Sequence, residues 1–200
     1  MGHEAPMLRD NLAPLDAYLA DAASLSRAEF LARYAWPMLV VPEPSPDVLF
    51  RIRRPETVIQ ESTTTTEIDL SSQALVGASL DALCLEVRPK RGQHTNRVSL
   101  GRSPDADIVL LDESVSRFHA EILWGEDRDR CFVNDLGARN GTFLDEVRIT
   151  AHGRAELYPG AVLTVGALVT RFYSPAAFLT WIETGAPRAG ASPGRWPQRT

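Results

Sequence analysis

Apolar and polar residues alternate in short runs through the second half of the chain. Examples are RVSLG (97–101), HAEILW (119–124), RCFVND (130–135) and VTRFYS (169–174), and turn residues separate them. No helical spacing of apolar residues interrupts this pattern. Short alternating runs joined by turns are typical of an antiparallel β-sandwich or barrel. The pattern therefore predicts a mainly β fold for residues 82–174.

The N-terminal region follows a helical period instead. Apolar residues from Leu12 to Ala22 recur at helical spacing, which predicts a first helix over this stretch. Ser26 and Glu29 have the spacing of a capping box, which predicts the start of a second helix. Residues 1–54 are therefore predicted to be a small helical extension that precedes the sandwich.

The remaining segments are short or of biased composition. Residues 55–81 are rich in Thr and Ser and poor in aromatic residues, which predicts a linker. Residues 175–184 are predicted to form a C-terminal helix with Ser174 as its N-cap. The tail, residues 185–200, is predicted to be disordered.

Composition and charge narrow the class of protein. Apolar residues make up 44% of the chain, charged residues 24%, and the net charge is −5. An acidic chain of this kind is not expected to bind nucleic acid through bulk electrostatics. No apolar run is long enough to span a membrane and no secretory signal is visible, so we expect a cytoplasmic protein. The Ala-, Arg- and Pro-rich usage suggests a bacterial source.

The two cysteines give no sign of a redox or metal site. Cys84 and Cys131 lie far apart in the sequence, without CxxC spacing or clustered histidines. This pattern favours buried, reduced thiols over a disulfide framework or a zinc site. We expect neither a metal nor a cofactor.

Three predicted loops concentrate hydrogen-bond donors in this acidic chain. They span residues 100–103, 116–119 and 137–142. Loops at one end of a sandwich can converge on a single site. Guanidinium and hydroxyl donors suit a phosphate group, because they form short charge-assisted hydrogen bonds with its oxygens. The donors in these loops are Arg102, Ser116, Arg117, Arg139 and Asn140.

The motifs in these loops resemble the forkhead-associated (FHA) domain family, whose members read phosphothreonine peptides. The resemblance rests on GRSPDADIVLLDESVSRFHAEI, FVNDLGARNGTFLDEVRI and LYPGAVLTVG. It covers roughly residues 83–174 and implies an FHA-like antiparallel β-sandwich. The implied function is that of a non-catalytic adaptor in Ser/Thr-kinase signalling. Its implied partners are a phosphothreonine-containing protein and a Ser/Thr kinase, with no nucleic acid and no membrane.

The resemblance also implies a role for each matched residue. Arg102 and Ser116 would bind the phosphate directly, and Arg117 would offer a further phosphate contact. Asn140 would hydrogen-bond the main chain of the peptide, with Arg139 beside it. The residues implied to brace the loops are Gly101, His119, Gly141 and Thr142.

The sequence departs from the family pattern at three places. Ala138 stands where serine is frequent, Asp145-Glu146 replaces a frequent Asn-Gly, and Pro159-Gly160-Ala161 replaces an Asp-Gly-Asp turn. None of these positions is implied to contact the phosphate. They therefore affect the expected loop shapes and peptide preference rather than phosphate binding.

Two other functions are compatible with parts of the sequence. The β-domain could be a scaffold that binds partners independently of phosphorylation. Alternatively, Ser116, His119 and Asp135 could form a hydrolytic triad, although the chain has no GxSxG nucleophile elbow. A triad requires the histidine within hydrogen-bond reach of the serine hydroxyl, which is a testable geometry.

The Thr-rich run in the predicted linker raises a further hypothesis. Some bacterial FHA proteins carry an N-terminal threonine motif that is phosphorylated and then docks into the domain's own site, and this run resembles one loosely. In this chain, a Ser/Thr kinase would phosphorylate the Thr-rich run, and the phosphorylated run would then dock into the chain's own phosphate-binding site. The candidate phosphorylation sites are Thr63, Thr64, Thr65 and Thr66.

Overall fold

The computed structural model describes residues 12–42, 82–90, 96–124 and 130–184. The predicted linker, the C-terminal tail and the candidate phosphorylation sites lie outside these residues. The elements, in chain order, are β1 (Leu12–Pro14), α1 (Leu15–Ser24), α2 (Arg27–Arg33), β2 (Met38–Pro42), β3 (Ala82–Glu86), β4 (Arg97–Gly101), β5 (Ile108–Val109), β6 (Ala120–Trp124), β7 (Cys131–Asp135), β8 (Thr142–Leu144), β9 (Val147–Arg148), β10 (Arg154–Leu157), β11 (Val162–Val165), β12 (Leu168–Tyr173) and α3 (Pro175–Thr184).

The strands form two sheets that pack face to face. The larger sheet has the order β1-β3-β2-β12-β11-β8-β9, and the smaller has the order β10-β7-β6-β4-β5. All neighbouring strands run antiparallel except β4 and β5, which are parallel. Residues such as Leu100, Ile122, Leu163 and Phe172 fill the space between the sheets. The prediction of a mainly β, antiparallel sandwich is confirmed.

Strand β2 joins the sandwich from outside the predicted range of 82–174. It lies between β3 and β12, near the middle of the larger sheet. Leu39 and Val41 face the core between the sheets, whereas Met38 and Val40 face the helices. Because both faces of β2 are buried, it reads as an unbroken apolar run rather than an alternating one. The N-terminal region therefore supplies part of the sheet as well as helices.

The three helices cover the outer face of the larger sheet around a second apolar core. Tyr18, Phe30 and Phe178 are the largest of its fully buried side chains. The predicted capping box of α2 is present, and the Oγ atom of Ser174 accepts a hydrogen bond from the Ala177 N–H at the start of α3. Within the described residues, no helix is long and apolar enough to cross a membrane.

The first predicted helix is wrong at its N-terminal end. Leu12 lies in β1, where it pairs with Leu85 of β3, and α1 begins only after Pro14. Proline is well tolerated at the start of a helix but cannot donate a hydrogen bond within one, so the chain changes from strand to helix there. Cys84 and Cys131 are both buried free thiols, as predicted.

The register of β2 fixes where the segment 43–81 leaves and re-enters the sheet. Pro42 pairs with Ala82 across β2 and β3. Met38 pairs with Tyr173, and β2 runs antiparallel to β12, so Pro42 lies toward the Leu168 end of β12. That end of the sandwich also carries the turn between β11 and β12. Both ends of segment 43–81 are therefore held at this end of the larger sheet.

Candidate functional site

The first and second predicted loops are joined through their backbones. The Arg102 N–H donates to the Ser116 carbonyl at 2.9 Å, and the Ser103 N–H donates to the Arg117 carbonyl at 3.0 Å. The His119 N–H donates to the Leu100 carbonyl at 2.9 Å. These bonds continue the pairing of β4 with β6 beyond the strands. Arg102 and Ser116 consequently lie next to each other.

Gly101 allows the two loops to approach this closely. A Cβ atom added at Gly101 would lie 2.1 Å from the Arg117 carbonyl oxygen and 2.8 Å from its carbonyl carbon. Both contacts are with backbone atoms, which no rotamer change can relieve. Any side chain at residue 101 would therefore separate Arg102 from the second loop.

His119 joins the second loop to the third. Its side chain is fully buried, and its Nδ1 atom accepts a hydrogen bond from the Ser116 N–H at 3.0 Å. Nδ1 is therefore unprotonated, so Nε2 carries the proton and donates to the Gly141 carbonyl at 3.0 Å. Desolvation by burial lowers the pKa of His119 below its usual value, which keeps the ring neutral.

Asp135 shapes the third loop and was not recognised as a loop-bracing residue from the sequence. One carboxylate oxygen accepts hydrogen bonds from the Gly137 N–H at 2.9 Å and the Ala138 N–H at 3.1 Å. The other oxygen accepts the Thr142 hydroxyl at 2.6 Å. The donor at residue 138 is a backbone N–H, so alanine in place of the frequent serine preserves this bond. An aspartate two residues before a glycine in a turn is the sequence signal for such bonds.

The third loop also contacts the second through side chains that were predicted to bind peptide. The Arg139 N–H donates to the Ser116 Oγ atom at 3.2 Å, and the Asn140 amide donates to the Ser114 carbonyl at 2.8 Å. Since Ser116 Oγ accepts this bond, its own O–H remains available to donate to a ligand. Ser114 also accepts the Ala167 N–H at its Oγ atom, which ties the site to the turn between β11 and β12.

The arginines of the three loops have no internal counter-ion among the residues that the structure describes. Within the described parts of the chain, no carboxylate forms an ion pair with Arg102, Arg117 or Arg139. The Nε atom of Arg102 donates to the Val115 carbonyl at 3.3 Å, which directs its guanidinium along the second loop. By contrast, Arg130 donates twice to the Glu156 carboxylate. The loops therefore hold uncompensated positive charge at their surface.

The predicted peptide-binding residues are not equally well connected. Arg102, Ser116, Arg139 and Asn140 are linked by the backbone and side-chain hydrogen bonds between the three loops. The Arg117 side chain is exposed, and its link to this cluster is the carbonyl that accepts the Ser103 N–H. The three joined loops therefore carry a guanidinium, a hydroxyl and an amide on segments that hydrogen-bond to one another, and the Arg117 side chain takes no part in these bonds.

The same contacts are not those of a hydrolytic triad. The Nδ1 atom of His119 accepts the backbone N–H of Ser116 rather than its hydroxyl, and Nε2 donates to a carbonyl. Asp135 uses its carboxylate on the third loop instead of orienting the histidine. Neither His119 nor Asp135 is therefore positioned to activate the Ser116 hydroxyl as the base of a triad.

Comparison with known proteins identifies the domain that carries these loops. Residues 98–166 match the family model described as FHA domain. The chain contains an FHA domain. The matched range runs from β4 to the turn after β11, so all three loops lie in the FHA domain.

Relatives of the FHA domain occur in plants and bacteria. The chain is 41% identical over 83 residues to the FHA domain-containing protein PS1 of Arabidopsis thaliana. The aligned region covers 42% of this chain and 5% of that protein. It is 33% identical over 72 residues to FhaB of Mycolicibacterium smegmatis, covering 36% of this chain and 44% of FhaB. The chain thus spans less than half the length of these relatives.

A solved structure with a similar region is the FHA domain of the CT664 protein from Chlamydia trachomatis. The two are 28% identical, with a TM-score of 0.38, over 44% of this chain and 82% of that chain.

Proposed function

We propose that this protein is a non-catalytic adaptor that binds phosphothreonine peptides in Ser/Thr-kinase signalling. The observation that carries the proposal is the cluster of Arg102, Ser116 and Asn140 on three joined loops. Its arginine has no internal counter-ion among the described residues. The presence of an FHA domain supports the same ligand class.

The chemistry of the cluster suits a phosphorylated side chain. A phosphate monoester carries nearly two negative charges and three acceptor oxygens. The terminal nitrogens of Arg102 and the Ser116 hydroxyl can donate to these oxygens as charge-assisted hydrogen bonds. Asn140 lies beside them and would bind the main chain of the peptide, while Arg117 and Arg139 would add contacts at the edge. Threonine is preferred over serine in this family because its methyl group is seated in the domain.

The proposed partners are a phosphothreonine-containing protein and the kinase that modifies it. We also propose that the run Thr63–Thr66, once phosphorylated, competes for the same site. This is supported by the pairing of Pro42 with Ala82, because both ends of segment 43–81 lie toward the loop-bearing end of the sheet. Strand β2 lies beside β12, about 5 Å away, and the turn that precedes β12 contacts Ser114 at the proposed site. Cytoplasmic location stays a prediction from the sequence.

Substitutions at the two phosphate donors test the proposed function. Arg102→Ala and Ser116→Ala should each weaken binding of a phosphothreonine peptide at least tenfold, or about 1.4 kcal/mol, because the phosphate loses a donor that replaced water. Peptides can be taken from an oriented phosphothreonine library and titrated by fluorescence polarisation. Arg27→Ala is the matched control, since Arg27 is exposed on α2 and pairs with Glu183.

The outcome separates the proposal from its rival, a phosphorylation-independent scaffold. Thermal melts should show that both variants remain folded, because both side chains are only partly buried or exposed. Equal affinity for phosphorylated and plain peptide would favour the scaffold. Affinity unchanged by both substitutions would refute the assigned site. A phosphoserine version of the same peptide should bind far less tightly.

A further inference from the structure

Arg148 of β9 lies against the third loop, a placement that no sequence motif revealed. A Cβ atom added at Gly141 would lie 2.7 Å from the Nε atom of Arg148 and 3.1 Å from its Cζ atom. The guanidinium therefore occupies the space that a side chain at residue 141 would fill. Gly141 has a φ of +77°, so it also needs the conformational freedom of glycine. Asn140, proposed to hold the peptide main chain, is the preceding residue.

The position of the Arg148 guanidinium is supported by an aromatic ring. Arg148 pairs with Phe143 across β8 and β9, and its Cζ atom lies 5.9 Å from the centre of the Phe143 ring. A cation above an aromatic face is attracted by the ring quadrupole. This contact favours one placement of a long side chain, so less conformational entropy is lost when it binds a ligand.

The charge of Arg148 is not neutralised within the described residues. No carboxylate there forms an ion pair with Arg148, and the same holds for Arg139 on the neighbouring loop. Both side chains are exposed, so a ligand can reach them. The phosphate already has Arg102 and Ser116 as donors on the first two loops. The third loop thus carries positive charge beyond what the phosphate group requires.

We propose that Arg148 selects a carboxylate side chain in the bound phosphopeptide, with Arg139 contributing at the edge of the same subsite. The inference rests on the proposed function, since it assumes that a phosphopeptide lies along the third loop. A guanidinium fork matches a carboxylate with two parallel hydrogen bonds, whereas lysine offers only a point charge. The ligand class is therefore a phosphothreonine peptide with Asp or Glu close to the phosphothreonine.

A scan of acidic positions in the peptide tests this inference. Starting from a phosphothreonine peptide with alanine at the flanking positions, single aspartates are introduced one position at a time and each peptide is titrated by fluorescence polarisation. We expect aspartate at one position, or at two adjacent ones, to tighten binding about two- to fivefold, the range for an exposed charge pair.

Three variants test whether Arg148 causes the preference for aspartate. Arg148→Ala should lose the gain from aspartate and keep the wild-type affinity for the alanine-flanked phosphopeptide. Arg148→Glu should prefer lysine at the same position, and Arg148→Lys should keep part of the aspartate preference. Arg154→Ala is the matched control, because the Arg154 guanidinium also stacks on an aromatic ring, that of Phe132, on the other sheet. This control should retain the full aspartate preference.

The possible failures are distinguishable. If the alanine-flanked phosphopeptide does not bind the wild-type protein, the proposed function itself fails. If it binds but aspartate brings no gain at any position, or if Arg148→Ala keeps the gain, the inference is overturned and the proposed function stands. Equal weakening of every peptide by Arg148→Ala also overturns it, because Arg148 would then support the loop or the phosphate rather than select a neighbour. Thermal melts check that each variant is folded.

Discussion

At the scale of single residues, the buried ring of His119 joins the second and third loops in its neutral form. Both of its ring nitrogens bond to backbone groups, and one of them must accept. A second proton on the ring would break the bond to Ser116 and place a charge in a fully buried site. The neutral form is therefore part of the folded structure of the site.

The pH dependence of stability follows from the lowered pKa of His119. Below the ordinary histidine pKa of about 6.5, the unfolded chain takes up a proton that the folded chain does not bind, so the free energy of unfolding should fall as the pH decreases. Above that pH the contribution of His119 is constant. We expect denaturant titrations at a series of pH values to show this loss in the wild type and a smaller one in His119→Asn.

His152→Asn is the matched control, because His152 lies in an exposed turn. It should keep the pH profile of the wild type. Parallel profiles for the wild type and His119→Asn would contradict the role assigned to His119.

At the scale of elements, the hairpin of β8 and β9 is closed by a turn with two left-handed residues. Asp145 has a φ of 48° and Glu146 a φ of 68°, as in a two-residue primed turn that favours Asn-Gly. The carboxylate of Asp145 offsets the cost of its left-handed conformation by accepting a hydrogen bond from the Val162 N–H at 2.9 Å. Among the described residues, no such bond supports Glu146, so this residue carries backbone strain that glycine would not.

Glu146→Gly should therefore stabilise the domain. The left-handed conformation costs a non-glycine residue about 1–2 kcal/mol, part of which is offset by the greater freedom of glycine in the unfolded chain, so we expect a net gain of about 0.5–1 kcal/mol. Chemical denaturation measures it. Asp145→Gly should give no such gain, because it also removes the bond to Val162. A loss of stability in Glu146→Gly would show that the turn is not strained at this residue.

A strand with one face on the core shows its period of two in the sequence. In β6, Ala120, Ile122 and Trp124 are buried and alternate with less buried residues, so the period of two is visible. In β2, adjacent residues contact two different cores, which removes the alternation. A run of this kind cannot be distinguished by periodicity from a connector or a helix segment. This is why Met38–Pro42 was assigned to the helical extension.

Site residues within the three loop motifs could be predicted from the sequence. A residue that reaches the site from a neighbouring strand could not. Arg102, Ser116 and Asn140 each belong to a recognisable loop. Arg148 reaches the third loop only through the pairing of β8 with β9, and that register depends on the turn at Asp145 and Glu146. Sequence spacing alone does not contain this information.

At the scale of the whole molecule, the FHA domain depends on residues that are distant in sequence. Replacing residues 43–81 by a short Asn-Gly turn should leave a folded protein, because Pro42 already pairs with Ala82. A chain that begins at residue 82 should not fold stably, because it lacks β2 and the helices that cover the sheet. Circular dichroism melts of the two proteins test this pair of outcomes.

The same turn variant tests the proposed role of Thr63–Thr66, which it lacks. After treatment with a Ser/Thr kinase, the full chain should lose affinity for a phosphothreonine peptide, whereas the turn variant should keep it. Mass spectrometry identifies the modified residues. Absence of phosphate on these threonines, or equal affinity before and after treatment, would remove this proposal and leave the peptide-binding site itself unaffected.

The pairing of β2 with β3 also means that the continuity of the backbone between residues 42 and 82 is not what holds this part of the larger sheet together. A protease that nicks the chain between residues 42 and 82 would produce two fragments still joined by the hydrogen bonds of the sheet and by both apolar cores. Such a nicked protein would run as two bands under denaturing conditions and as a single species in solution. The three loops that we propose to bind the peptide would remain complete on the larger fragment.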